Sequence, residues 1–85
     1  INQIKYLNED AVAIILAEKI QNVRAIKYEL SKLGECTWDY FNAGKDRQYW
    51  YYTSIIEQTK KYHPNAVLLP DLEYGVKKLF APVGS

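Results

Sequence analysis

The chain is poor in the residues that carry metal, redox and proton-transfer chemistry. It has one cysteine, one histidine and no methionine among its 85 residues. A single cysteine cannot form an intramolecular disulfide, and a single histidine provides neither a ligand pair for a metal nor a second ring for a proton relay. We therefore expect no metal, no other cofactor and no self-contained catalytic site. Cys36, which has no histidine beside it, is predicted to be a small core residue.

Long apolar runs and a dominant charge are also lacking. The longest purely apolar run covers residues 11–17, far short of the roughly 20 residues that a membrane-spanning helix needs. Glu9 and Asp10 stand where a signal peptide would carry basic residues. A free thiol fits a reducing compartment, so a cytoplasmic protein without a membrane partner is predicted. The formal net charge of +1 supplies no global argument for nucleic acid.

Aromatic residues, in contrast, are abundant. Eight tyrosines, two tryptophans and two phenylalanines bring enough apolar area for one core, and a chain of this length has room for only one. A single small domain over residues 1–85 is therefore predicted. Because the chain opens at Ile1 rather than at methionine, we expect it to be a piece of a longer protein.

The strongest pattern predicts one long helix over residues 9–33. Asn8 is a suitable N-cap, acidic residues follow it in the first turn, and Gly34 is a typical stop signal. No glycine or proline interrupts the segment, which favours a continuous helix over one broken near residues 19–22. The apolar residues recur at steps of three and four positions: Val12, Leu16, Ile20, Val23, Ile26, Leu30 and Leu33.

Residues 36–53 are rich in Thr, Trp, Tyr and Phe, which fit a pleated surface. Their alternation on both sides of the Asn- and Gly-containing turn at 42–46 predicts a β-hairpin. The rival interpretation places helices at 36–43 and 46–62, with an apolar stripe through Tyr49, Tyr52 or Thr53, and Ile56. The hairpin is the favoured of the two.

The remaining segments predict short helices. One covers residues 54–62 and ends before His63 and Pro64, which makes His63 a helix-terminal residue. Another opens at Pro70 and places four apolar residues on one face: Leu72, Val76, Leu79 and Phe80. The predicted fold is thus α+β, with a long N-terminal helix, an aromatic hairpin and short C-terminal helices. An all-α four-helix bundle is the alternative.

Two groups of basic residues could contact phosphate. Arg24, Tyr28 and Lys32 lie on the face of the long helix opposite its apolar stripe. Lys45 and Arg47 are predicted at the tip of the hairpin. These five residues form the predicted nucleic-acid-binding site, although Glu18, Glu29 and Glu35 nearby would weaken binding to phosphates.

The tyrosine-rich run at residues 49–52 has two interpretations. Beside Lys45 and Arg47 it offers the mixture of rings and cations that stacks nucleic-acid bases. The simpler interpretation is that Trp50 and Tyr52 pack under the helix while Tyr49 and Tyr51 face solvent. Tyr49 and Tyr51 are therefore the predicted interaction surface.

Residues 22–53 resemble the recognition helix and wing of winged-helix domains of the general transcription factor E type. The helical part is Asn22-Val23-Arg24 with its following apolar positions, and the wing is Trp50-Tyr51-Tyr52-Thr53 after a turn through Asp46. This resemblance implies a non-enzymatic module that binds nucleic acid through the helix. The alternative function is a protein-interaction or oligomerisation module, such as a subunit of a homo-oligomer or an immunity-like inhibitor.

Overall fold

The chain folds into a bundle of three α-helices in a computed structural model that describes residues 2–40 and 44–80. A short 3₁₀ helix precedes the first α-helix, and a second one follows it. No strand occurs within the two described ranges. In chain order the elements are the N-terminal 3₁₀ helix Asn2–Tyr6, α1 Glu9–Leu33, the second 3₁₀ helix Gly34–Tyr40, α2 Gly44–Tyr62 and α3 Leu69–Leu79.

The first α-helix has the predicted bounds and is continuous. The Asn8 side chain accepts a hydrogen bond of 2.8 Å from the backbone N–H of Ala11, which satisfies one of the free donors at the helix start. Gly34 ends the helix with φ of 72°, a conformation that only glycine adopts without steric cost, and its N–H donates to Leu30. Leu33, expected in the apolar stripe, is instead 45% exposed.

The predicted hairpin at residues 36–53 is wrong, because residues 36–40 belong to the second 3₁₀ helix and residues 44–53 form the first half of α2. Residues 41–43, which include part of the predicted turn, lie outside the described ranges. A hairpin would place Trp50 and Tyr52 on the same face, yet Trp50 is 58% exposed and Tyr52 only 3%. A helix turns about 200° over two residues, which separates the two side chains in this way. The buried positions of α2 follow the helical period: Tyr52, Ile55, Ile56 and Thr59.

The α+β fold is therefore contradicted and the all-α alternative is confirmed, with three α-helices rather than four in the part of the chain that the structure describes. The winged-helix likeness falls with the hairpin, since a wing consists of strands. The physical reason is tertiary: burying Tyr52, Ile55 and Ile56 along one helical stripe outweighs the modest strand preference of aromatic residues. The rival interpretation, with a helix over 46–62, was close to the observed α2.

The third helix confirms its predicted apolar face. Leu72, Val76 and Leu79 are buried, and Phe80, which follows the last turn, is partly buried. Pro70 lies in the first turn, where a missing N–H costs nothing.

The three helices run up, down and up. Glu35 after α1 contacts Lys45 at the start of α2, and His63 after α2 lies 3.2 Å from the carbonyl oxygen of Ile4, before α1. Helix α2 therefore runs opposite to α1. Because Phe80 at the end of α3 stacks on Trp38 beyond the end of α1, α3 runs parallel to α1.

The core has an aliphatic body and an aromatic end. Leu16 and Leu72, both fully buried, belong to the aliphatic body. At the other end, the Phe80 ring lies 5.3 Å from that of Trp38, 5.2 Å from Tyr49 and 6.3 Å from Tyr52. None of the described helices combines the length and the apolar character needed to cross a membrane.

Candidate interaction surfaces

The first two turns of α2 expose two aromatic side chains and an arginine. Tyr49 is 50% and Trp50 58% exposed, and Arg47 lies one turn before Trp50 on the solvent side. We call Arg47, Tyr49 and Trp50 the aromatic patch. Thr53, in the next turn, donates its hydroxyl to the carbonyl oxygens of Tyr49 at 2.8 Å and Trp50 at 3.1 Å.

Trp50 was not among the predicted surface residues, because the predicted hairpin buried its ring under the helix. The helical period could have found it, since a helix that buries Tyr52 and Ile56 points Trp50 outward. The Tyr49 ring makes an edge-to-face contact with the Phe80 ring, at 5.2 Å between ring centroids, while half of the residue stays exposed. In the patch, the Tyr49 ring therefore packs against a core residue, whereas the Trp50 ring is mostly exposed.

Lys45, predicted beside Arg47 at a hairpin tip, points to a different part of the molecule. Its Nζ lies 3.9 Å from a carboxylate oxygen of Glu35 and 5.9 Å from the Trp38 ring centroid. Two residues on, Arg47 lies about 200° around the helix and is exposed. The structure does not bring these two cations together.

Tyr51, predicted to face a partner, is less exposed than Tyr49 and packs against the core. It is partly buried against the core, with its ring 5.4 Å from that of Tyr52 and 5.2 Å from Lys19 Nζ on α1. The lysine over the ring adds a cation–π contact between α1 and α2. Burial raises the pKa of the Tyr52 hydroxyl above its ordinary value, and the neighbouring Tyr51 adds to the shift.

A second surface lies between α1 and α3. A groove of about 310 Å³ separates the two helices. Three cationic side chains and one carboxylate border it, over a floor of apolar side chains. None of the three cations forms an ion pair with any residue in the described ranges. We call this the basic groove, and its lining residues are Ile20, Val23, Arg24, Lys27, Asp71, Leu72, Tyr74, Gly75 and Lys78.

Of the predicted helix-face residues, only Arg24 lines this groove. Tyr28 lies one turn further along α1 and is 58% exposed, and the Lys32 ammonium stands 5.0 Å from its ring centroid. All three residues face solvent, as the helical period predicted. Arg24 thus lines the same groove as Lys27 of α1 and Lys78 of α3. Tyr28 and Lys32 lie on α1 outside the groove.

Another cleft, of about 430 Å³, lies between the start of α1 and the connection from α2 to α3. Glu9, Asp10 and His63 line it, but the His63 ring bonds to the Ile4 carbonyl, which ties the N-terminal 3₁₀ helix to the end of α2. His63 directly follows α2, as predicted. Among the described residues, no group of His, Cys, Asp and Glu is placed to hold a metal.

The prediction that Cys36 is a small core residue is wrong. This residue is exposed, and its thiol donates a 2.8 Å hydrogen bond to the carbonyl oxygen of Leu33. The second 3₁₀ helix buries Thr37 and Trp38 instead.

Comparison with known proteins assigns no family: no family model, curated protein or solved structure matches the chain.

Proposed function

We propose that this domain is a non-enzymatic protein-interaction module that binds its partner through the aromatic patch. The observation that carries the proposal is the 58% exposure of Trp50 beside Tyr49 and Arg47 within two helical turns. Tryptophan, tyrosine and arginine are the residues in which binding energy at protein interfaces concentrates.

The energetics of the patch favour docking. Trp50 lies on the outer side of α2, so more than half of its area stays in contact with water after folding. A partner that covers the ring removes that area, at about 25 cal/mol for each Å². Because the patch belongs to a regular helix, its backbone has no further conformational entropy to lose on binding.

We propose a second copy of the chain as the partner, because Arg47 and Glu57 on the outer side of α2 have opposite charges that can pair between two copies. Arg47 and Glu57 are both exposed and lie on either side of Trp50 along this face. In an antiparallel pairing about the level of Tyr52, Arg47 of one copy would oppose Glu57 of the other, with the Trp50 rings between them. Such a two-fold contact uses the same patch on both subunits.

The test is sedimentation velocity over a range of concentrations, with Trp50→Ala compared with the wild type. Tyr28→Ala is the matched control, since Tyr28 has the same 58% exposure but lies on α1. We expect Trp50→Ala to weaken self-association by about 2 kcal/mol, the loss typical of a hot-spot residue, and Tyr28→Ala to leave it unchanged.

Charge exchange tests the pairing itself. Arg47→Glu should weaken the dimer, and adding Glu57→Arg should restore it, because the pair is then re-formed with reversed signs. A chain that stays monomeric at every concentration, or equal effects of Trp50→Ala and Tyr28→Ala, would contradict self-association through this patch.

Nucleic acid is the second candidate partner, favoured by the three cations of the basic groove, which form no ion pair within the described ranges, with Tyr28 and Tyr74 exposed nearby. It ranks second because Lys45 and Arg47, predicted together, lie on different sides of α2 and Lys45 is partnered by Glu35. Titration of labelled single-stranded and duplex oligonucleotides at two salt concentrations tests it. Binding that falls steeply with salt and is abolished by Arg24→Glu would make nucleic acid the preferred function.

A further inference from the structure

We propose that the basic groove between α1 and α3 is a second binding site, which accepts an acidic amphipathic segment of another protein. Arg24 and Lys27 from α1 and Lys78 from α3 border it, against a single carboxylate, Asp71. The domain as a whole has a formal charge of only +1. The groove therefore concentrates positive charge that the rest of the surface does not carry.

The floor of the groove is apolar and closely packed. Val23 and Leu72 are buried beneath it and Ile20 is partly buried. Gly75 lets α3 approach α1 here, because a Cβ at this position would stand 3.3 Å from a methyl carbon of Val23. A ligand that fills the groove therefore meets hydrocarbon below and cations at the rim.

Charge is distributed unequally along the groove. Since α1 and α3 run in parallel and Val23 faces Gly75, Lys27 and Lys78 lie about one turn beyond that crossing on both helices. Asp71 lies about one turn before it. The end towards the aromatic core is thus positive, and the ligand's carboxylates should gather there.

A polypeptide matches these features better than a nucleic acid does. A phosphate backbone offers negative charge but no aliphatic groups for the floor formed by Ile20, Val23 and Leu72. An amphipathic acidic segment offers both, with leucine-like side chains for the floor and carboxylates for Arg24, whose guanidinium can bind a carboxylate through two hydrogen bonds.

The experiment measures fluorescence anisotropy of a labelled synthetic helical peptide that carries leucines one turn apart and glutamates beside them. The groove variant combines Arg24→Glu and Lys78→Glu. Its control combines Lys5→Glu and Lys61→Glu, which changes the net charge equally at exposed positions outside the groove. We expect binding at least about tenfold weaker in the groove variant and nearly unchanged in the control. A peptide with serines for leucines should also bind more weakly.

Three results would overturn the proposal: no binding of the acidic peptide at low salt, an equal loss in both variants, or tighter binding of an oligonucleotide of the same charge. This site is separate from the aromatic patch, so the two proposals fail independently. Trp50→Ala should leave peptide binding intact, and the groove variant should leave self-association intact. Circular dichroism and urea unfolding establish that each variant is folded.

Discussion

The aromatic patch and the basic groove differ in how much the fold depends on them. The patch lies on the outer side of α2, where Trp50 is 58% exposed. The groove lies over a helix–helix seam whose floor residue Leu72 is 0% exposed. The Trp50 side chain can be removed without opening the core, whereas the floor of the groove is itself part of the core. Binding through Trp50 can therefore be altered without a large loss of stability, whereas a change in the floor of the groove affects both binding and stability.

The loss of stability on truncating Leu72, compared with that on truncating Trp50, tests this difference between the groove and the patch. Leu72→Ala should lower the free energy of unfolding by about 2–5 kcal/mol, because it leaves a cavity in the aliphatic core. Trp50→Ala should change it by less than about 0.5 kcal/mol, as at other exposed positions. Urea unfolding followed by circular dichroism measures both. If Leu72→Ala prevents folding, Leu72→Val provides a milder test with a loss of about 1 kcal/mol. Equal losses at Leu72 and Trp50 would remove the distinction.

A smaller effect tests how closely the groove seam is packed. Gly75→Ala should gain about 1 kcal/mol in helix propensity, offset by the 3.3 Å contact of the new Cβ with Val23. Valine has little rotamer freedom in a helix and cannot easily turn away. We therefore expect Gly75→Ala to be more favourable by about 0.5 kcal/mol or more in a Val23→Ala background. Thermal unfolding of the two single variants and the double variant measures this coupling. Complete additivity would mean that α1 and α3 adjust to the new Cβ without any energetic cost from Val23.

The smallest effect concerns the inner side of α2, beneath the aromatic patch. Burial raises the pKa of Tyr52 in the folded state, so above the ordinary tyrosine pKa of about 10 the unfolded chain loses this proton first. The stabilising contribution is complete below that pH and declines as pH rises through the folded-state pKa. Tyr52→Phe should reduce the alkaline loss of stability in urea unfolding. Tyr28→Phe, at an exposed ring, is the control and should not.

Local signals predicted α1 and α3 because their ends and apolar faces are encoded within each segment. Asn8 and Gly34 mark the limits of α1 through interactions that span a single turn. In α3, Leu72, Val76 and Leu79 have no competing strand pattern. The segment 36–53 is compatible with both the two-residue period of a strand and the 3.6-residue period of a helix, because its aromatic residues can line one face in either structure. Propensity favoured the wrong one, which also placed Lys45 and Arg47 at a hairpin tip, whereas both lie in the first turn of α2.

The candidate sites were less predictable than the fold. The helical period predicted that Arg24, Tyr28 and Lys32 face outward on α1, because this needs only the direction of one stripe. It could not pair Arg24 with Lys78, since 54 positions separate them and only the parallel packing of α3 on α1 brings them to one groove. Trp50 was misplaced for the related reason that its orientation depends on which period α2 adopts.

By itself, then, the sequence determined the length and caps of α1, the buried stripe of α3 and the lack of a histidine pair or disulfide, because each depends on residue type or on contacts within a few positions. Only the tertiary structure settled that residues 44–53 belong to the same helix as the predicted helical segment 54–62, that Trp50 is exposed while Tyr52 is buried, and that cations of two helices share one groove. These features depend on packing between segments far apart in the chain, where the burial of shared apolar surface outweighs local preference.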